Sequence, residues 1–196
     1  MLFSIGVGAI IGIAIGVLVL ILVIALVSWG IKTYNRIIRL RNNVEESFST
    51  MDVYLKKRWD LIPNLVETVK GYANHENKTL EAVISARNMA VGAKNAQEKI
   101  SAENALTGTL KSLFAVSESY PNLKADAQFL RLQNQLNELE NEIAQSRKYY
   151  NAKVKAFNTM LEIFPSSIIA GFMKQEKKPF FEISDEAHRE NVKISF

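Results

Sequence analysis

Residues 2 to 31, LFSIGVGAIIGIAIGVLVLILVIALVSWGI, carry no charged side chain. This run constrains the chain more than any other feature. A helix needs only about 20 predominantly apolar residues to cross a bilayer, and this uncharged run is thirty residues long. A cleavable signal peptide has Lys or Arg before a shorter apolar core and a small-residue cleavage site after it. No basic residue precedes this core, and the chain has no cysteine, which excludes both a lipid-modified cysteine anchor and a disulfide framework. Residues 1–31 are therefore expected to form a retained transmembrane helix.

The flank of that helix sets its orientation. Lys32, Arg36, Arg39 and Arg41 follow it with no acidic residue among them, and positive flanks stay in the cytoplasm. This puts the N-terminus outside and the rest of the chain inside. Of 24 basic and 20 acidic side chains, four basic ones lie in this collar, so residues 42–196 carry 20 of each. A nucleic-acid binder spreads its excess charge over a folded face, so no nucleic-acid partner is expected. A collar suits either anionic lipid headgroups, at about 1 kcal/mol per basic residue, or a topology signal alone. Within the span, Gly8, Gly12 and Gly16 recur every four residues. They share one helix face, where a second helix can approach closely.

Beyond the span the apolar spacing is helical. Ile37, Leu40, Val44, Phe48, Met51, Leu55, Arg58, Ile62, Leu65 and Val69 follow steps of three and four, with only Arg58 polar. This predicts a long amphipathic helix leaving the membrane. Pro63 should kink or restart it, since proline removes an i to i−4 hydrogen bond, and Gly71 is the expected terminator. A shorter helix is expected from about His75 to Val91, and a third from about Gln97 to Tyr120, burying Ala102, Leu106, Leu110 and Leu113 and ended by Pro121. In the fourth, Leu132, Leu136, Leu139, Ile143, Tyr150, Val154, Phe157, Leu161 and Phe164 keep a seven-residue, coiled-coil-like repeat broken only at Ser146. About forty residues at about 1.5 Å each give a helix near 60 Å. The expected fold is all-α: a single transmembrane helix followed by an antiparallel bundle of about four helices over residues 32–163. Residues 164–196 form a tail whose Phe172, Met173, Phe180, Phe181 and Phe196 are too apolar for a free end. Bundle, membrane surface or partner subunit could each cover them.

The inventory for catalysis is thin. His75 and His188 are far apart, neither is preceded by Glu at the spacing of di-iron bundles, and no HExxH is present. No metal, cofactor or catalytic residue is expected. The DEAH at 185–188 spells a helicase motif, but no phosphate loop accompanies it. Asn77-Lys78-Thr79 spells a glycosylation acceptor that matters only on a secretory surface.

Several longer stretches carry a resemblance. YNRIIRLRNNVEESFSTMDVYLKKRWDLIPNLVETVKGYANHE (34–76), ARNMA (86–90), YYNAKVKAFN (149–158), FPSSIIAG (164–171), PFFE (179–182) and the closing VKISF together resemble the bacterial LemA family, with DLIPNLV at 60–66 the most specific piece. The link FMKQEKK is shorter than is usual in that family. The resemblance implies an inner-membrane protein with a cytoplasmic helical bundle and no established enzymatic activity. It also implies kinship with proteins of magnetosome membranes, and genes that often neighbour that of a membrane metalloprotease. Its motif residues Arg58, Asp60, Pro63, Asn64, Gly71, Phe164, Pro165, Phe180 and Phe181 are expected to be structural, with a binding role for Arg58, Asp60 and Asn64 kept as an alternative because an Arg on an apolar stripe needs a partner. The expected function is a non-enzymatic, membrane-tethered, homo-oligomeric scaffold. The alternative is a regulatory or adaptor subunit that binds another membrane protein, such as a protease, through its aromatic tail.

Overall fold

The computed structural model describes residues 2–73 and 75–182, excepting the side chains of residues 2–5 and 7. The DEAH stretch, His188, Phe196 and VKISF lie outside the described residues. The elements are α1 (Leu2–Lys70), α2 (Asn77–Gly92), α3 (Ala96–Ser117), α4 (Pro121–Lys124), α5 (Ala127–Glu162) and α6 (Ser166–Phe172), with no strand among the described residues. The all-α class is borne out: one long apolar N-terminal helix precedes a helical bundle whose two extra elements, α4 and α6, are short helices of four and seven residues.

The chain divides into two compact units, residues 45–154 with 179–196 and residues 1–44 with 155–178. In the first, the three- and four-residue spacing does what it dictates. Met51, Leu55, Ile62, Leu65 and Val69 of α1 are fully buried, with Leu80 and Val83 of α2, Leu106, Leu110 and Leu113 of α3, and Leu132, Leu136, Ile143 and Val154 of α5 at or below 5 % exposure. Burying such a side chain contributes about 1.5–3 kcal/mol, so this core dominates the stability of the bundle. Ala86 and Ala90 of α2 and Ala102 of α3 are also buried. In the second unit, Ile37, Val44, Phe157, Met160 and Ala170 are buried.

Helix ends are set by local chemistry, and here several expectations are corrected. The Asn95 side chain accepts from Glu98 N at 2.9 Å while Glu98 accepts from Asn95 Nδ2 at 2.7 Å and from Lys94 N at 2.9 Å, a reciprocal cap that starts α3. Pro121 does not end α3, which stops at Ser117. It starts α4, where its missing N–H would have no helical partner and its fixed φ is already helical. Asp126 caps α5, accepting from Phe129 N at 2.8 Å and from the Tyr72 hydroxyl at 2.9 Å, which together hold its carboxyl below the usual range. The helix α5 is 36 residues long and ends at Glu162, so the heptad outlasts the backbone that would use it: Phe164 leaves the helix and is 81 % exposed.

No helix restart occurs at Pro63, for α1 runs unbroken from Leu2 to Lys70. The reason is a substitute donor. Proline leaves the carbonyl four residues earlier, that of Trp59, without its helical N–H, and Arg87 Nε of α2 donates to that oxygen at 3.3 Å. Arg87→Ala is therefore expected to cost about 1 kcal/mol in the parent, and distinctly less in a Pro63→Ala background, where residue 63 supplies its own N–H. Equal costs in the two backgrounds, read from thermal unfolding, would refute the substitution. Gly71 follows the last helical residue as expected, yet no glycine has positive φ. The turn is closed instead by Tyr72 N and Ala73 N donating to Val69 O at 3.0 and 2.9 Å.

Candidate functional site

The most concentrated chemistry lies in the bundle core, around the one polar position of the α1 stripe. Arg58 is wholly buried. Its Nη2 donates to Glu103 Oε2 and its Nη1 to Glu140 Oε1, the latter nitrogen also donating to Thr107 Oγ1 at 3.1 Å. Glu103 is equally buried, and its other oxygen accepts from Trp59 Nε1 at 2.7 Å. Thr107 is held in place by donating to Glu103 O at 2.9 Å. Around this core, Lys99 Nζ pairs with Asp52 at 2.5 Å and stands 5.4 Å from the Trp59 ring centre. Arg147 lies over the Phe181 ring, its Cζ 4.3 Å from the centre, a cation–π contact.

Burial pushes the Glu103 carboxyl above its ordinary value, opposed by the Arg58 charge and the hydrogen bonds from Trp59 and Arg58. Burial and the nearby Arg58 charge lower Arg147, while Glu140 and Glu103 raise it. The cluster joins three helices by charge-assisted bonds, and every carboxylate oxygen within it that faces Arg58 is occupied. Among the described residues there is no group of three His, Cys, Asp or Glu that could hold a metal. What the geometry shows is a pairing of charges between helices, with Arg58 and Glu103 buried.

The other expected site residues are dispersed. Asp60 and Asn64 are exposed, whereas Arg58 points inward, so the three do not converge. Asp60 lines an open groove of about 670 Å³ with Lys57, Glu138 and Glu142. Pro63 is exposed. Phe181 is buried under Arg147, and Phe180 is 39 % exposed. Pro165 precedes α6 and, like Phe164, is exposed. Lys32, Arg36 and Arg39 are exposed, and Arg41 lines a groove beside Ile169 and Met173. Gly8, Gly12 and Gly16 are exposed, and a Cβ added to any of them would meet nothing within 4 Å.

Two residues were overlooked in the sequence. Asn151 and Asn158 each clamp an extended peptide with both amide atoms: Asn151 accepts from Phe181 N at 2.8 Å and donates to Phe181 O at 3.0 Å, and Asn158 does the same to Lys178 N and O at 2.9 Å. The Tyr150 hydroxyl adds a bond to Pro179 O at 2.9 Å, and burial pushes its pKa to about 12. The signal was two asparagines seven residues apart on a helix face, ahead of an aromatic tail.

A helical bundle borne on an apolar N-terminal helix, with an ion-paired core, defines the class: a membrane-associated helical protein. The sequence profile of the LemA family matches residues 47–196, and this chain belongs to that family. Among its relatives, Protein LemA of Metamycoplasma hominis is 25 % identical over 155 residues, covering 77 % of this chain and 69 % of the relative. Magnetosome proteins MamQ 1 and MamQ 2 of Paramagnetospirillum magneticum are each 22 % identical over 182 residues, covering 78 % of this chain and 67 % of each relative.

Proposed function

We propose that this protein is a non-enzymatic scaffold, tethered by residues 8–31 in the bacterial inner membrane with its bundle in the cytoplasm, where copies assemble side by side through the span. The observation that carries this reading is where apolar surface remains. The heptad side chains Leu132, Leu136, Ile143 and Val154 are buried within their own chain, and Leu139 of the same repeat is half-buried beside an open groove, so most of that face of α5 is already used within the chain. The apolar side chains of the N-terminal stretch are exposed along its length, Ile10 at 68 % and Leu18 at 65 % among them. Its small-residue face is open at Gly8, Gly12 and Gly16. A helix so exposed and so apolar belongs in lipid, and in lipid close packing between small residues drives association. Kinship with two magnetosome proteins agrees with a role in organising a membrane.

The orientation is tested by a thiol. The chain has no cysteine, so Ser101→Cys, exposed on α3, provides a single label site. It should resist a membrane-impermeant maleimide in intact cells and react after lysis. Labelling of intact cells would overturn the cytoplasmic assignment.

A further inference from the structure

Within the unit formed by residues 1–44 and 155–178, two side chains are more exposed than any large apolar side chain described in the N-terminal stretch from Ile10 to Ile31. Phe172 is 83 % and Phe164 81 % exposed, against at most 68 % in the stretch, and Ile163 and Ile168 are about half exposed beside them. Apolar area left in water forgoes about 25 cal/mol per Å², and contiguous patches of this kind mark contact surfaces.

Position identifies what covers them. Phe164 shares a groove of about 300 Å³ with Trp29, Lys32 and Arg36. Phe172 shares one of about 560 Å³ with Gly30, Ile31 and Tyr34. Residues 29–31 are the last before the first charge of the chain, at Lys32. Both phenylalanines therefore sit beside the place where the uncharged helix gives way to the basic collar. The charge of the unit agrees: residues 1–44 and 155–178 hold eight basic and two acidic side chains, and Lys32 and Arg36 of the first groove are exposed, as is Lys174, next in sequence to Met173 of the second. An aromatic pair rimmed by cations at the end of an apolar helix matches the composition of a bilayer interface, with rings at the acyl boundary and positive charge among anionic headgroups.

We infer that residues 163–173 are a second membrane-seated element, in which Phe164 and Phe172 enter the headgroup–acyl boundary of an anionic leaflet beside the end of the span. This rests on reading residues 8–31 as that span. The depth expected of such an element is about 5–10 Å. Seated there, it would hold the first turns of the cytoplasmic helix against the membrane surface at two further points.

The absence of cysteine makes depth measurable at single sites. Nitroxide labels on Phe164→Cys, Phe172→Cys, Ile21→Cys and Ser101→Cys report contact with oxygen, which concentrates in lipid, and with a water-soluble nickel chelate. The full chain is reconstituted in vesicles of equal parts phosphatidylcholine and phosphatidylglycerol. The oxygen-to-nickel ratio at 164 and 172 should be severalfold above that at 101, with 21 higher still. If 164 and 172 match 101 while 21 remains in lipid, the inference is overturned and the span stands. If 21 also reports water, the span reading falls and the inference falls with it. Labels at 164 and 172 shielded from both reagents would mean that protein covers them, which also overturns it.

Discussion

Arg58→Met should destabilise the bundle by about 3–5 kcal/mol, the cost of leaving a buried charge without its partner. The stranded group is Glu103, wholly buried and retaining only the Trp59 indole as a side-chain donor. Glu140, 37 % exposed, can turn to water. The effect should depend on pH in a defined direction. Burial already raises Glu103, and Arg58 is the main influence opposing it. Without Arg58 the folded-state pKa rises further, so the native form holds a proton that the unfolded form releases. The residual stability is then fully present below the ordinary glutamate range and lost as pH rises through the elevated value. The penalty should therefore be smaller in mild acid than at neutral pH. Adding Glu103→Leu should recover most of the loss and abolish its pH dependence, since a buried pair replaced on both sides by apolar groups is often neutral. A single variant as stable as the parent at neutral pH, by denaturant unfolding, would contradict the structural assignment of this cluster.

The second large effect concerns assembly. The triple change Gly8→Leu, Gly12→Leu, Gly16→Leu should lower the oligomer to smaller species in mild detergent while leaving membrane content unchanged. Leucine is favourable at the centre of a span, so insertion should persist. Among the described residues nothing lies within 4 Å of where each Cβ would go, so the bulk meets no obstacle there. Any loss then arises between copies, where a leucine holds apart backbones that glycine lets approach. Unchanged oligomer size in the triple variant would remove the glycine face from the account.

Much of the fold was legible because burial on a helix leaves a periodic trace. Ile37, Val44, Met51, Leu55, Ile62, Leu65 and Val69 are all at or below 3 % exposure, as their spacing implied. That Arg58 on this stripe needed a partner was also legible. Which partner was not, because Glu103 and Glu140 lie 45 and 82 residues away and pairing at that range has no local pattern. Pro63 had the same difficulty: its local cost was clear, but the compensating donor came from Arg87 on another helix. Phe164 misled because the seven-residue repeat continues in sequence two residues past the last helical residue, Glu162. Asn151 and Asn158 look like surface polar residues until an extended segment is seen to accept their amides. At the glycine face, sequence and structure supply the same fact, an open apolar surface.

The central claim is that copies of this chain assemble, and the mass of the protein extracted from its own membrane in mild detergent tests it most directly. Native mass spectrometry or light scattering corrected for detergent should give a discrete mass that is a multiple of 22.1 kDa, without a second polypeptide. A mass of one chain under every mild extraction, or one chain bound to a different membrane protein, would contradict the scaffold and favour an adaptor subunit.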